Sequence, residues 1–216
     1  MKELIIPYIP AQTSLDIARV SAALSISEKH ELTYSPWSDF VYRPHVDFAI
    51  AFNNEYIFLR YEVEEHVARA AYTKINQPVC KDSCVEFFIA FPDEDNYYNL
   101  EFNFAGNCLA GYGAGRANRK LLSVDQISKI RSVTNIKAGL HHQKPVIVWD
   151  LTLAIPLSIF EYSNITSLAG RTAQVNFYKC GDELPQPHYL CWNRIVSDTP
   201  DFHRPECFGK VTFNTY

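Results

Sequence analysis

No stretch of the 216-residue sequence approaches 18 uninterrupted apolar residues. A membrane-spanning helix needs about 20 of them, so none is expected. Residues 1–10 show no basic segment followed by an apolar one, which excludes a recognisable secretory leader in the sequence as it stands. The expected location is therefore the cytoplasm, or the periplasm or exterior if a leader has been removed. Blocks of like charge are also missing, and the net charge is only −4, which makes nucleic acid and anionic membranes poor partners. Six cysteines, at 80, 84, 108, 180, 191 and 207, include no C-x-x-C pair. Cys80 and Cys84, or His188 and Cys191, lack the companion pair of a structural zinc site. Cys84 lies in an apolar run and reads as a small buried hydrophobe. Met1 is the sole methionine, so a haem domain would need two histidines as axial ligands. Internal repeats, low-complexity tracts and linkers are absent, which favours one domain over residues 1–216.

What the chain has in quantity is aromatic side chains: 13 Tyr, 14 Phe and 3 Trp. They pack well on pleated sheets, and a chain of this length buries a large core without disulfides. Strand-like runs recur at 46–52, 55–63, 83–91, 97–104, 132–140, 146–155, 172–179 and 208–213, with CWNRI (191–195) beside the last. Asn53-Asn54 separates the first two as a hairpin turn, because asparagine tolerates positive φ. PDEDN (92–96) and Gly106-Asn107 mark further turns. Residues 14–25 fit a short helix or an edge strand, and a helix is expected around 124–130. Helical patterns this few cannot cover a parallel sheet. The expected fold is all-β: an antiparallel, jelly-roll-like sandwich with one or two short helices and a long Pro-rich C-terminal loop.

Strand side chains alternate between two faces. In 97–104, Tyr98, Leu100, Phe102 and Phe104 oppose Tyr97, Asn99, Glu101 and Asn103. In 83–91, Val85, Phe87 and Ile89 oppose Glu86 and Phe88, and in 55–63 Arg60 and Glu62 lie opposite Ile57, Leu59 and Tyr61. In 172–179, Val175, Phe177 and Lys179 share a face. If these strands are neighbours, one sheet carries Arg60, Glu62, Glu86, Asn99, Glu101 and Asn103 on one side. Antiparallel sheets commonly solvate such a face. The same set also suits a sugar groove. Carboxylates, amides and a guanidinium bind vicinal hydroxyls in pairs while Tyr97 stacks on a ring. Arg116 joins this ligand-binding set. Residues 179–208 hold four prolines, two histidines, Trp192 and Phe202. Their prolines restrict the free loop and pre-organise a binding edge.

The order of these segments resembles carbohydrate-binding module family 9. NNEYIFLRYEV (53–63) is similar to the family's D-E-N-Y-L-Y-V strand, and KDSCVEFFI (81–89) to its D-S-V-E-I-F-I. YYNLEFNFAGNCLAGYG (97–113), WDLTLAIP (149–156), CWNRI (191–195) and FHRPECFGKVTF (202–213) follow in the family's order. The resemblance covers residues 40–216. It implies a β-sandwich module, attached to or encoded near xylan- and glucan-degrading enzymes, that holds sugar between two tryptophans without cutting it. On this chain those tryptophan positions fall at Val79 and about Phe202. Glu86 falls on a sugar-binding glutamate, and Glu101 near an arginine. Some family members bind calcium, for which Asp93 and Asp95 offer oxygens. The expected ligand is a plant-type xylan or glucan and the expected partner a glycoside hydrolase. Two alternatives stand beside it. One is a divergent glycoside hydrolase using Glu86 and Glu101. The other is an interaction domain that kept the sandwich and lost the sugar.

Overall fold

The computed structural model describes residues 1–10, 15–141 and 143–215. The strands are β1 (Glu3–Ile6), β2 (His30–Glu31), β3 (His45–Phe52), β4 (Tyr56–Glu65), β5 (Cys84–Ala90), β6 (Tyr97–Asn103) and β7 (Cys108–Gly113). They continue as β8 (Lys120–Leu121), β9 (Arg131–His141), β10 (Lys144–Pro156), β11 (Thr172–Cys180), β12 (Tyr189–Cys191) and β13 (Gly209–Phe213). Two sheets result. One has the order β1-β13-β11-β5-β6-β7-β8, with β12 also pairing β11; the other runs β2-β3-β4-β10-β9. The β1–β13 pair is parallel. The antiparallel sandwich expected from alternation is therefore present, with parallel joins at β1–β13 and at the isolated Tyr8–Phe52 bridge.

The inner faces carry the apolar halves of each alternation. Val85, Phe87 and Ile89 of β5 and Tyr98, Leu100 and Phe102 of β6 meet Leu59 and Tyr61 of β4 and Leu151 and Leu153 of β10. Phe177 links the layers by stacking on Phe48 at 3.8 Å and on Phe87 at 5.2 Å. Trp192 meets the Phe177 ring edge-on at 5.6 Å, which fixes it in this core.

The run 14–25 is a helix, α1 (Ile17–Ser25), with residue 14 outside the described residues. Asp16 caps it by accepting from the Ala18 and Arg19 amides at 3.0 and 3.2 Å. Val20 and Leu24 of α1 seal the outer face of the second sheet against Ala49, Phe58 and Ala154. The second helix, α2 (Val124–Ile127), is one turn closed by a Ser123–Gln126 capping box, and stops short of residue 130. Asn53 closes the β3–β4 hairpin differently from expectation. Neither Asn53 nor Asn54 has positive φ. Instead the Asn53 side-chain oxygen accepts from the Glu55 and Tyr56 amides at 2.9 and 2.8 Å. Gly106 does take φ 82°, as its turn requires.

One polar cluster sits inside the sandwich. Lys179, expected on the face of Val175 and Phe177, is fully buried there, and its ammonium pairs with Glu65 of the other sheet at 2.9 Å. The ammonium also donates to the Cys180 carbonyl at 2.9 Å and meets His188 Nε2 at 2.8 Å. Trp149 Nε1 donates to the second Glu65 oxygen at 2.7 Å. The ammonium thus has two hydrogen-bond partners, the Cys180 carbonyl and His188, and pairs with Glu65 by charge. His188 accepts at Nε2 and donates from Nδ1 to the Gln186 carbonyl at 2.9 Å. Burial, reinforced by the Lys179 charge, pushes its pKa down to about 3, so the ring is neutral.

The expected single polar face is divided between the sheets. Arg60 and Glu62 belong to β4 and lie on the outer side of the second sheet. There Arg60 binds Asp150 at 2.7 Å, Ser21 at 2.6 Å and Glu62 at 3.0 Å. Glu86, Asn99, Glu101 and Asn103 belong to β5 and β6 of the first sheet. Alternation assigns faces within a strand, whereas neighbours are set by the hairpin joining β4 to β3.

Candidate functional site

The outer face of β11, β5 and β6 would be exposed if nothing lay over it. Residues beyond β11 fold back across it and leave a cavity of about 160 Å³. Cross-strand partners Glu86 and Glu101 form its floor, beside Cys180 at the end of β11. Asp182, Tyr189, Phe202 and His203 build one side, while Arg116 reaches in from the β7–β8 loop. Phe202 is held by stacking on Tyr178 at 4.2 Å and 12°, with Trp37 packed 5.8 Å away.

The floor is unusual in its protonation. Both glutamates are almost inaccessible, at 3% and 6% exposure. Burial and the neighbouring Glu101 hold Glu86 well above the usual carboxyl range. Burial raises Glu101 to about 7, although its hydrogen bond from Asn99 and the charges of Arg119 and Arg116 oppose this. Asn99 Nδ2 donates to Glu101 at 2.8 Å, and Arg119 Nε donates to Asn99 Oδ1 at 2.8 Å. Arg119 lies 4.3 Å over the Tyr97 ring, and the Tyr97 hydroxyl meets His203 Nδ1 at 2.8 Å. Burial, with Arg119 and Arg116 nearby, lowers His203 to about 3, which leaves a neutral ring with polar atoms at the cavity wall. Asp182 is raised chiefly by burial and hydrogen-bonded by Tyr189.

Of the residues expected to bind ligand, Glu86, Glu101, Arg116 and Phe202 converge on this cavity. Tyr97 and Asn99 stand behind it, as supports for His203 and Glu101. Asn103 is turned away: its amide donates to Asp82 at 3.0 Å and to the Tyr72 carbonyl at 2.8 Å. Trp192 is core, and Arg60 is on the other sheet. Val79 is fully buried and offers no stacking surface. Asp93 and Asp95 are exposed on their turn, where Asp93 has φ 62°. Neither joins a group of three close His, Cys, Asp or Glu donors among the described residues. Asp182, Tyr189, Asp201 and His203 were not singled out individually, though all lie within the loop region 179–208. Tyr189 supplies an aromatic wall in a cleft that has lost the expected tryptophan.

A β-sandwich whose loops enclose a small cleft of carboxyls, a guanidinium and aromatic walls defines the class of carbohydrate-binding modules. The sequence matches the profile of carbohydrate-binding family 9 over residues 18–213, and the chain belongs to that family. A crystal structure of a Bacteroides uniformis ATCC 8492 protein, to which carbohydrate binding is ascribed, is 32% identical. The match covers 98% of this chain and 99% of that one, with a TM-score of 0.89. A family 9 module of Caldicellulosiruptor kristjanssonii, solved with glucose, shares the fold at TM-score 0.61 and 11% identity over 100% of this chain and 97% of that one. Its complex with cellotriose gives the same TM-score and identity, over 95% of that chain. No curated protein sequence matches this chain.

Proposed function

We propose that this module binds one terminal unit of a xylan- or glucan-type saccharide in the cleft over Glu86 and Glu101, without hydrolysing it. The observation that carries the reading is the cavity itself. Its volume of about 160 Å³ is well below the ~300 Å³ at which ligand pockets commonly begin, so it suits a single sugar ring. Phe202 and Tyr189 offer apolar walls to ring C–H groups, while Arg116, Asp182 and the floor carboxyls offer hydroxyl partners. The family 9 module with glucose and cellotriose supports the choice of ligand class. A place beside a glycoside hydrolase belongs to the same proposal. Two aromatic walls and a few hydrogen bonds suit an affinity of roughly micromolar to millimolar.

Calorimetric titration with cello- and xylo-oligosaccharides tests this. Phe202→Ala and Glu101→Gln are expected to weaken binding about tenfold or more while circular dichroism shows the native sandwich retained. Normal binding by both variants, or no binding of any saccharide at millimolar concentration, would overturn it. The hydrolase reading is favoured only by the two carboxyls with raised pKa values on adjacent strands. Saccharide incubated with the protein is expected to release no new reducing ends; release abolished by Glu86→Gln would favour that reading instead.

A further inference from the structure

We propose that a zinc site lies at the edge of the cleft floor, formed by the fully buried Cys84 Sγ with Cys180 Sγ and a Glu86 carboxylate oxygen, the latter two lining the cavity. Cys84 and Cys180 are direct partners across the β5–β11 ladder, so their side chains leave the same face together. Glu86 is two residues beyond Cys84 on that face. Among the described residues these form the one group of three His, Cys, Asp or Glu donors whose atoms lie within 4.8 Å of one another. Cys180 Sγ is 3.1 Å from Glu86 Oε1. Tetrahedral zinc with Zn–S of about 2.3 Å and Zn–O of about 2.0 Å needs S···S near 3.8 Å and S···O near 3.5 Å.

The chemistry of the donors agrees with the geometry. Two thiolates and a carboxylate are a zinc-type set, too soft for calcium or magnesium. All six cysteines are free, so no disulfide competes for Cys84 or Cys180. A second observation comes from Glu86. It is 3% exposed, yet among the described residues its carboxyl receives a side-chain hydrogen bond only from the Cys180 thiol. The fourth tetrahedral position would hold water or a solute oxygen.

The test uses the full chain, reduced and stripped of metal. Zinc chloride is titrated against a chromophoric chelator, and retained metal is counted by elemental analysis after dialysis. One zinc per chain is expected. Cobalt(II) in its place should show a thiolate-to-metal charge-transfer band and tetrahedral visible absorption. Cys84→Ala and Cys180→Ala should each weaken zinc binding at least a hundredfold, Glu86→Gln about tenfold or more, and Cys207→Ser not at all. Glu86→Gln keeps the side-chain volume, so it remains informative if a cysteine variant misfolds. Failure to retain zinc at micromolar concentration, or equal retention by Cys84→Ala, would overturn the proposal. A mass two hydrogens lower from a Cys84–Cys180 disulfide, with no zinc taken up after reduction, would overturn it too. Saccharide titration of the metal-free protein keeps this result separate from that for sugar binding.

Discussion

Replacing Lys179 with methionine removes a fully buried cation that pairs across the two sheets. Methionine matches the stem of lysine, so the change is mainly electrostatic. Its effect can be worked from three contacts. Glu65 loses a partner at 2.9 Å and keeps the Trp149 N–H at 2.7 Å, with His188 Nε2 at 3.8 Å. His188 Nε2 and the Cys180 carbonyl lose a donor at 2.8 and 2.9 Å. Both charged side chains are fully shielded from water, so solvent cannot replace the lost ammonium. Removing one partner of a buried pair typically costs about 3–5 kcal/mol. For a chain of this size that corresponds to roughly 6–20 °C in Tm. Urea unfolding at pH 7 with an unchanged m value is the assay. The double variant Lys179→Met, Glu65→Gln is neutral and keeps an acceptor for Trp149. It is expected to regain at least half of the loss. A loss below about 1 kcal/mol for Lys179→Met, or a double variant less stable than that single one, would refute the reasoning.

Acid pH should destabilise the fold through His188. Its native pKa of about 3 lies below the ordinary 6.5, so the unfolded chain binds the extra proton between these values. The contribution is complete above pH 6.5 and is lost as pH falls toward 3, amounting to about 2 kcal/mol by pH 5. Glu101 acts with the opposite sign. Its native value of about 7 exceeds the ordinary 4.5, so its contribution is full below pH 4.5 and lost as pH rises through 7. Glu101→Gln should therefore gain stability over the parent between pH 5 and pH 8, by up to about 3 kcal/mol; no gain in unfolding curves at pH 8 would contradict this. Gly209→Ala should cost about 1–3 kcal/mol in the same assay, because the added methyl meets the Trp192 ring and comes within 2.9 Å of the Lys2 carbonyl.

The sequence by itself determined the sandwich and the two faces of its strands. Period-two alternation placed Val85, Phe87 and Ile89 inward and Glu86 outward, because a pleated strand has no other choice. It also put Lys179 on the inner face, a position whose charge becomes intelligible only when β4 brings Glu65 opposite. Family resemblance drew attention to Glu86, Glu101 and Phe202, and the composition of 179–208 marked where the cleft wall would come from. Neighbour relations were the part that alternation does not encode. They moved Arg60 to the other sheet, drew Trp192 into the core and turned Asn103 onto Asp82. Local spacing likewise showed no metal pair, since Cys84 and Cys180 lie far apart along the chain. Only the β5–β11 register sets their sulfurs side by side, because strand pairing joins distant residues by hydrogen-bond geometry and not by their separation in sequence.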